Sequence, residues 1–186
     1  MIDFEKGIVS RGSWAAIQKC MLRAAAGYPI TVGFLGGSIT QGSLATKPEN
    51  CYAARVFRWW QETFPLSEMT FVNAGIGGTT SQFGAARVEE DLLKYKPDFV
   101  LTEFSVNDEN TPHFQETYEG LIRRILKSGA ALMLMNNVCY DTGCSAEEVH
   151  LEIARHNCLP SVSMKPTLYA ALLRRETQNR NITPDD

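Results

Sequence analysis

The sequence predicts an α/β domain: a parallel sheet with helices on both faces. Three observations carry this reading. Short apolar runs alternate along the chain with stretches whose apolar residues recur at helical spacing. That βαβ rhythm is the pattern of a sheet covered on both sides. Glycine and small polar residues collect directly after the first three runs. Finally, 186 residues suit one domain, read here as spanning 1–186.

The elements follow in order. Ser13 to Ala26 is expected to be a helix, with Trp14, Ile17, Met21 and Ala25 on one face and Gly27 just past its end. Ile30 to Leu35 is the first strand. Tyr52, Val56, Trp59, Trp60 and Thr63 fall at helical spacing, and Pro65 stops that helix. Met69 to Asn73 is a short strand, and Ser81 to Lys94 a helix with a weak start. Phe99 to Phe104 reads as a buried strand. Tyr118, Leu121, Ile122, Ile125 and Leu126 form a strong helical stripe. Ala131 to Met135 is the fourth strand. Ser145 and Glu148 have capping-box spacing and open a helix to about His156. Leu159 to Met164 is the fifth strand, and Thr167 to Thr177 the last helix.

Composition excludes several classes. A chain this long buries roughly 70% of its unfolded surface and needs no disulfide or metal staple. With 44% hydrophobic and 21% charged residues, disorder and coiled coil are not indicated. A net charge of −3 argues against nucleic acid as the main partner. No run approaches the ~18 apolar residues of a membrane span. The N-terminus has no apolar core of signal-peptide length, so a soluble, cytoplasmic chain is expected, although a removed leader would leave the same appearance. The five cysteines, Cys20, Cys51, Cys139, Cys144 and Cys158, have irregular spacing without C-x-x-C. They read as reduced, mostly buried thiols, with a Cys139–Cys144 disulfide or metal pair as the alternative.

In parallel α/β sheets, ligands bind outside the carboxyl ends of the strands. Three loops occupy that place: Gly36-Gly37-Ser38-Ile39-Thr40, then NAGIGGTTS from Asn73 to Ser81, then Ser105-Val106-Asn107-Asp108. Acyl transfer needs an exposed hydroxyl, donors for an oxyanion, and a base held by a carboxylate. Ser38 supplies a hydroxyl, and its own N–H a first donor. A glycine amide of the second loop and the Asn107 side chain supply further donors. The blander readings are a helix-capping Ser38 and a turn-forming Asn107. A P-loop is excluded because no lysine precedes Ser38, and G-x-G-x-x-G is not matched in either glycine-rich loop. G-x-S-x-G fails at Thr40.

Together the three loops resemble the SGNH (GDSL-type) hydrolase family of esterases, lipases and acylhydrolases, over essentially the whole chain. The resemblance implies a flavodoxin-like three-layer α/β/α sandwich with a five-stranded parallel sheet, and no metal or organic cofactor. Matched by position, Ser38 is the nucleophile, Gly78 the glycine whose amide lines the oxyanion hole, and Asn107 the side-chain donor. Gly37 stands where the family has the aspartate of G-D-S. Ser105 stands at the glycine of G-x-N-D, where it is expected to narrow or re-polarise the site. The family's last block is D-x-x-H. The given sequence ends in ITPDD, so Asp185 matches the triad aspartate, with Asp186 second, and the histidine position falls two residues past the last one. Loss of a closing segment there is expected to expose sheet surface and favour self-association.

The three histidines present are alternatives for the base. His150 sits inside a helix pattern, His156 ends that helix, and His113 follows the Asn107 loop, where it could overhang the site. Glu103 reads as an edge-facing carboxylate or a site-wall residue. Trp59-Trp60 reads as one core ring and one groove-facing ring, and Arg123-Arg124 and Arg174-Arg175 as solvated helix faces. The implied reaction is hydrolysis of a small-molecule acyl ester, with O-acetyl on a carbohydrate as the expected substrate. A non-catalytic carbohydrate- or acyl-binding module is the alternative, and a nucleotide-binding protein a third.

Overall fold

A computed structural model describes residues 2–176. Its centre is a six-stranded sheet in the order β1-β6-β5-β4-β2-β3. The strands are β1 (Ile8–Ser10), β2 (Ile30–Gly36), β3 (Met69–Gly75), β4 (Phe99–Glu103), β5 (Ala131–Asn136) and β6 (Ser161–Ser163). The helices are α1 (Ala15–Ala25), α2 (Ser38–Gln41), α3 (Tyr52–Thr63), α4 (Ser81–Asp91), α5 (Pro112–Lys127), α6 (Glu147–His156) and α7 (Ala170–Leu173). The five expected strands are all present and pair in parallel.

The sixth strand corrects the expected count. β1 runs antiparallel to β6, pairing Ile8 with Val162 and Ser10 with Ser161. Three residues carry no periodicity, so nothing local announces a strand there. Its stability comes from partners about 150 residues away, including Ser10 Oγ donating to the Leu159 carbonyl at 2.9 Å. β3 forms the opposite border, and its Thr70, Phe71 and Asn73 are exposed.

Strand alternation divides the core in two. Leu35, Val100, Phe104, Leu132 and Leu134 face α4, α5 and α6, where Val88, Tyr118, Leu121, Ile122, Ile125 and Ile153 meet them. Val32, Phe34, Phe99, Leu101 and Met135 face α1 and α3, against Ile17, Cys20, Ala24 and Trp60. This is the three-layer sandwich the sequence led one to expect. Trp60 is buried against Phe99, the first residue of β4, while Trp59 is exposed. Both therefore lie toward the amino end of the strands, away from Ser38.

One helix start differs from its sequence signal, and another is completed from a distance. Ser145 does not cap α6: its Oγ donates to the Asn137 carbonyl at 2.7 Å, and Ala146 stands at the N-cap without a side-chain bond. α4 lacks a local cap as well, but Asp108 Oδ1 accepts the Ser81 N–H at 2.8 Å from another loop. The weak start is thus completed by a residue 27 positions away. The five cysteines are free, but only Cys20 and Cys51 are buried. Cys139 is half-buried and Cys144 and Cys158 are exposed, so the expectation of mostly buried thiols is corrected. Among the described residues, no helix is long and apolar enough to cross a membrane.

Candidate active site

Three strands end at one level. Gly36, the last residue of β2, pairs with Gly75 of β3 on one side and with Glu103 of β4 on the other. The three loops therefore leave the sheet from adjacent points on one rim. Their backbones pack closely enough to exclude side chains. A Cβ on Gly75 would lie 2.2 Å from Gln41 N, and one on Gly36 2.3 Å from the Glu103 carbonyl oxygen. Both are closer than real Cβ contacts, so glycine is required for α2 to sit down on the strand ends.

Ser38 is the first residue of α2, half-buried, with Gly37 as N-cap. Backbone N–H groups in a helix's first turn have no acceptor within the helix. Gly37 lies against both other loops: a Cβ there would be 3.0 Å from Asn107 Oδ1 and 3.4 Å from the Thr79 carbonyl. Gly77 borders the serine, with an ideal Cβ 3.7 Å from Ser38 Cβ. Its N–H donates to Gln41 Oε1 at 2.9 Å. Gly78 has φ +70 and no atom within 4 Å of an added Cβ. A left-handed backbone at an open position is one where glycine is favoured for its conformation alone. Ser38, Gly77 and Asn107 are thus brought together, and Gly78 follows Gly77 in the same loop. Asp185 and Asp186 lie outside the described residues.

The turn is braced from below. Asn73 Nδ2 donates to the Thr40 carbonyl at 2.8 Å, and Thr40 Oγ1 meets the Tyr52 hydroxyl at 2.8 Å. Arg87, almost fully buried, donates to the Gly36 carbonyl at 3.2 Å and to Asp91 at 2.9 Å. The Tyr52 phenol is held neutral, first by burial and then by the nearby Glu103.

Two buried carboxylates flank the Asn107 turn. Glu103 is neither edge-facing nor part of the site wall: it ends a central strand and is fully buried. Its Oε1 accepts the Ser105 N–H at 3.0 Å and the Ser105 hydroxyl at 2.9 Å, while Oε2 has no partner. Burial pushes its pKa up to about 7, against the lowering effect of the Ser105 hydrogen bonds. Ser105 is also buried, so it does not narrow the site. It ties the β4–α5 loop to the segment after β5: its Oγ accepts the Asn137 N–H at 2.7 Å, and its carbonyl accepts from Ala146 N at 2.7 Å. Asp108, on the other side, pairs with His150 Nε2 at 3.0 Å.

None of the three histidines is placed as a base for Ser38. His150 is completely buried, stacked on Tyr118 with ring centroids 3.8 Å apart. Burial lowers its pKa, against the raising effect of Asp108. His113 is exposed on the first turn of α5, its ring against Phe114. His156 ends α6 beside Gln115, Glu119 and Glu152. The sequence did not assign roles to Asn73, Arg87, Asp108 or the His150 pairing. Asp108, a carboxylate directly after Asn107, was the one available signal.

A mostly parallel sheet with helices on both faces and three small-residue loops at its carboxyl rim defines the class, a three-layer α/β/α sandwich. The family follows from the sequence: the model of the GDSL-like lipase/acylhydrolase family matches residues 34–181, and the chain belongs to that family. Similar solved structures include a two-domain esterase (CEX) active on acetylated mannans, co-crystallised with mannopentaose. It is 53% identical with a TM-score of 0.96 and covers 100% of this chain but 52% of its own. A second crystal structure described in the same terms, without the mannopentaose, is 54% identical and likewise covers 100% of this chain and 51% of its own. The chain therefore spans about half the length of these esterases. Axe2, an acetylxylan esterase from Geobacillus stearothermophilus, shares the fold at 21% identity and TM-score 0.64, over 81% of this chain and 82% of its own. No curated protein matches.

Proposed function

We propose that this chain carries the acyl-transfer site of a serine esterase that removes O-acetyl groups from carbohydrates, with acetylated mannan as the first substrate to test. The observation that carries the reading is whole-chain similarity, at 53% identity, to an esterase active on acetylated mannans. The convergence of Ser38, Gly77 and Asn107 on one rim supports it.

In this reading Ser38 Oγ attacks the acetyl carbonyl carbon as its proton passes to a base. The carbonyl oxygen becomes an oxyanion, held by the N–H groups of Ser38 and Gly78 and by the Asn107 side-chain amide. The C–O bond to the sugar then breaks, and the base returns its proton to the departing hydroxyl. Water attacks the acetyl-serine by the same route and releases acetate. The base is the histidine of the D-x-x-H block, oriented by Asp185, since imidazole titrates near working pH. Without that histidine, only what the oxyanion site and substrate binding provide would remain, roughly 10³–10⁴ over water.

None of the three histidines present contacts Ser38, and this favours a second reading, a carbohydrate-binding module on the same scaffold. The test is intact mass before and after a fluorophosphonate, together with acetate release from acetylated mannan. A single adduct on wild type and none on Ser38→Ala, with turnover falling about 10⁵–10⁶-fold in the variant, is expected. A folded full-length protein that neither labels nor releases acetate, yet binds mannan, would establish the second reading instead.

A further inference from the structure

A histidine with no solvent contact is an odd choice for a core position. His150 is stacked on Tyr118, whose hydroxyl meets Thr102 Oγ1 at 2.7 Å, so the ring is fixed from one face. Phenylalanine would provide the same stack without a polar atom. What the imidazole adds is one hydrogen bond, from Nε2 to Asp108 Oδ2 at 3.0 Å. Nδ1 has no partner, which fixes the neutral tautomer with its proton on Nε2. A second proton would create a buried N–H with no acceptor. His150 is therefore a permanent donor to Asp108 and does no proton transfer.

Asp108 is equally constrained. Its side chain is fully buried, with Oδ1 on the Ser81 N–H at 2.8 Å and Oδ2 on His150. Asp108 is the neighbour of Asn107, and Ser81 lies three residues after Gly78. One carboxylate thus ties the loop of the side-chain donor to the loop of the backbone donor. The bond to Ser81 is charge-assisted and lies at the positive end of α4. Without His150, one carboxylate oxygen would be left buried and unpaired, and rotation to relieve it would carry Asn107 along.

We propose that Asp108 and His150 are positioning residues of the oxyanion site, together holding the Asn107 amide and the Gly78 backbone at the spacing a tetrahedral intermediate requires. The inference rests on the esterase reading and adds the device that keeps its donors aligned. Misplacing a donor by about 1 Å can cost on the order of 10²-fold in rate.

The test is a double-mutant cycle on the full-length protein, with kcat and KM measured on p-nitrophenyl acetate and folding followed by near-UV circular dichroism. His150→Phe should lower kcat about tenfold in the wild-type background, with KM within about twofold, and change it less than about twofold in an Asn107→Ala background. His150→Gln, which keeps a donor, should recover most of the loss. Asp108→Asn, which keeps the acceptor for Ser81, should retain at least about tenfold more activity than Asp108→Ala. If Asp108→Ala does not fold, the His150 cycle still decides. An equal fall in both backgrounds, or folded His150 variants with wild-type kcat, would overturn the proposal and leave the pair a packing feature. Absence of Ser38-dependent turnover in the wild type would overturn the esterase reading, and this inference with it.

Discussion

The two ends of the sheet are built on opposite plans. The amino end holds a cavity of about 410 Å³, lined by Lys19, Cys20, Arg23, Lys96 and Asp98 among others. Its charges are mostly solvated or already committed: Lys19 and Lys96 are exposed, and Arg23 is hydrogen-bonded to Asp98. Cys20 is pushed up to about 12, mainly by burial, so its thiol is inert there. The carboxyl rim is marked by constraint instead: close-packed glycines, an amide against Gly37, and two buried carboxylates beneath. The groups whose positions are over-determined gather at the carboxyl rim, where the proposed chemistry lies.

The contrast can be broken or sharpened by substitution. The largest effect is expected at the rim: Asn107→Ala should lower kcat on p-nitrophenyl acetate about 10²–10³-fold with little change in KM. If it raised KM alone, Asn107 would be a substrate contact instead.

A middle-sized effect lies beneath the rim, at Glu103. Its folded pKa, about 7, is above the ordinary 4.5, so the folded state holds the proton more tightly than the unfolded chain does. Its contribution is complete below pH 4.5 and is lost as pH rises toward 7, in total about 3 kcal/mol at about 1.4 kcal/mol per unit. His150 acts in the opposite sense, because its pKa is lowered: stability falls as pH drops below 6.5. Urea denaturation of Glu103→Gln from pH 4.5 to 8 should lack the wild-type loss across that window. An unchanged pH profile would show that Glu103 stays ionised when folded.

The smallest effect is expected at the amino end. Lys19→Ala and Lys96→Ala should leave kcat/KM within about twofold. Stability should stay within about 0.5 kcal/mol at Lys19, an ordinary exposed helix position. Lys96 has φ +51, so a modest change from backbone preference is expected there instead.

Much of this was legible in the sequence, for a physical reason. The five parallel strands and the helices between them rest on local periodicity, and the three loops on their glycines and small polar residues. What escaped was held together at long range. β1 is three residues with a distant partner, α4 is capped from another loop, and Ser145 answers to Asn137 rather than to its own helix. Glu103 and Ser105 were visible as residues, but not their inward orientation. The sequence offered candidate groups for the rim; the supports beneath them lie 12 to 51 residues away along the chain.

The borders of the sheet carry a last consequence. β1 is short and irregular in register, a blunt border that offers almost no ladder to a neighbour. β3 is seven residues long, and no strand among the described residues pairs with its outer side. The two borders thus leave very unequal lengths of backbone at the sides of the described sheet, seven residues at β3 against three at β1.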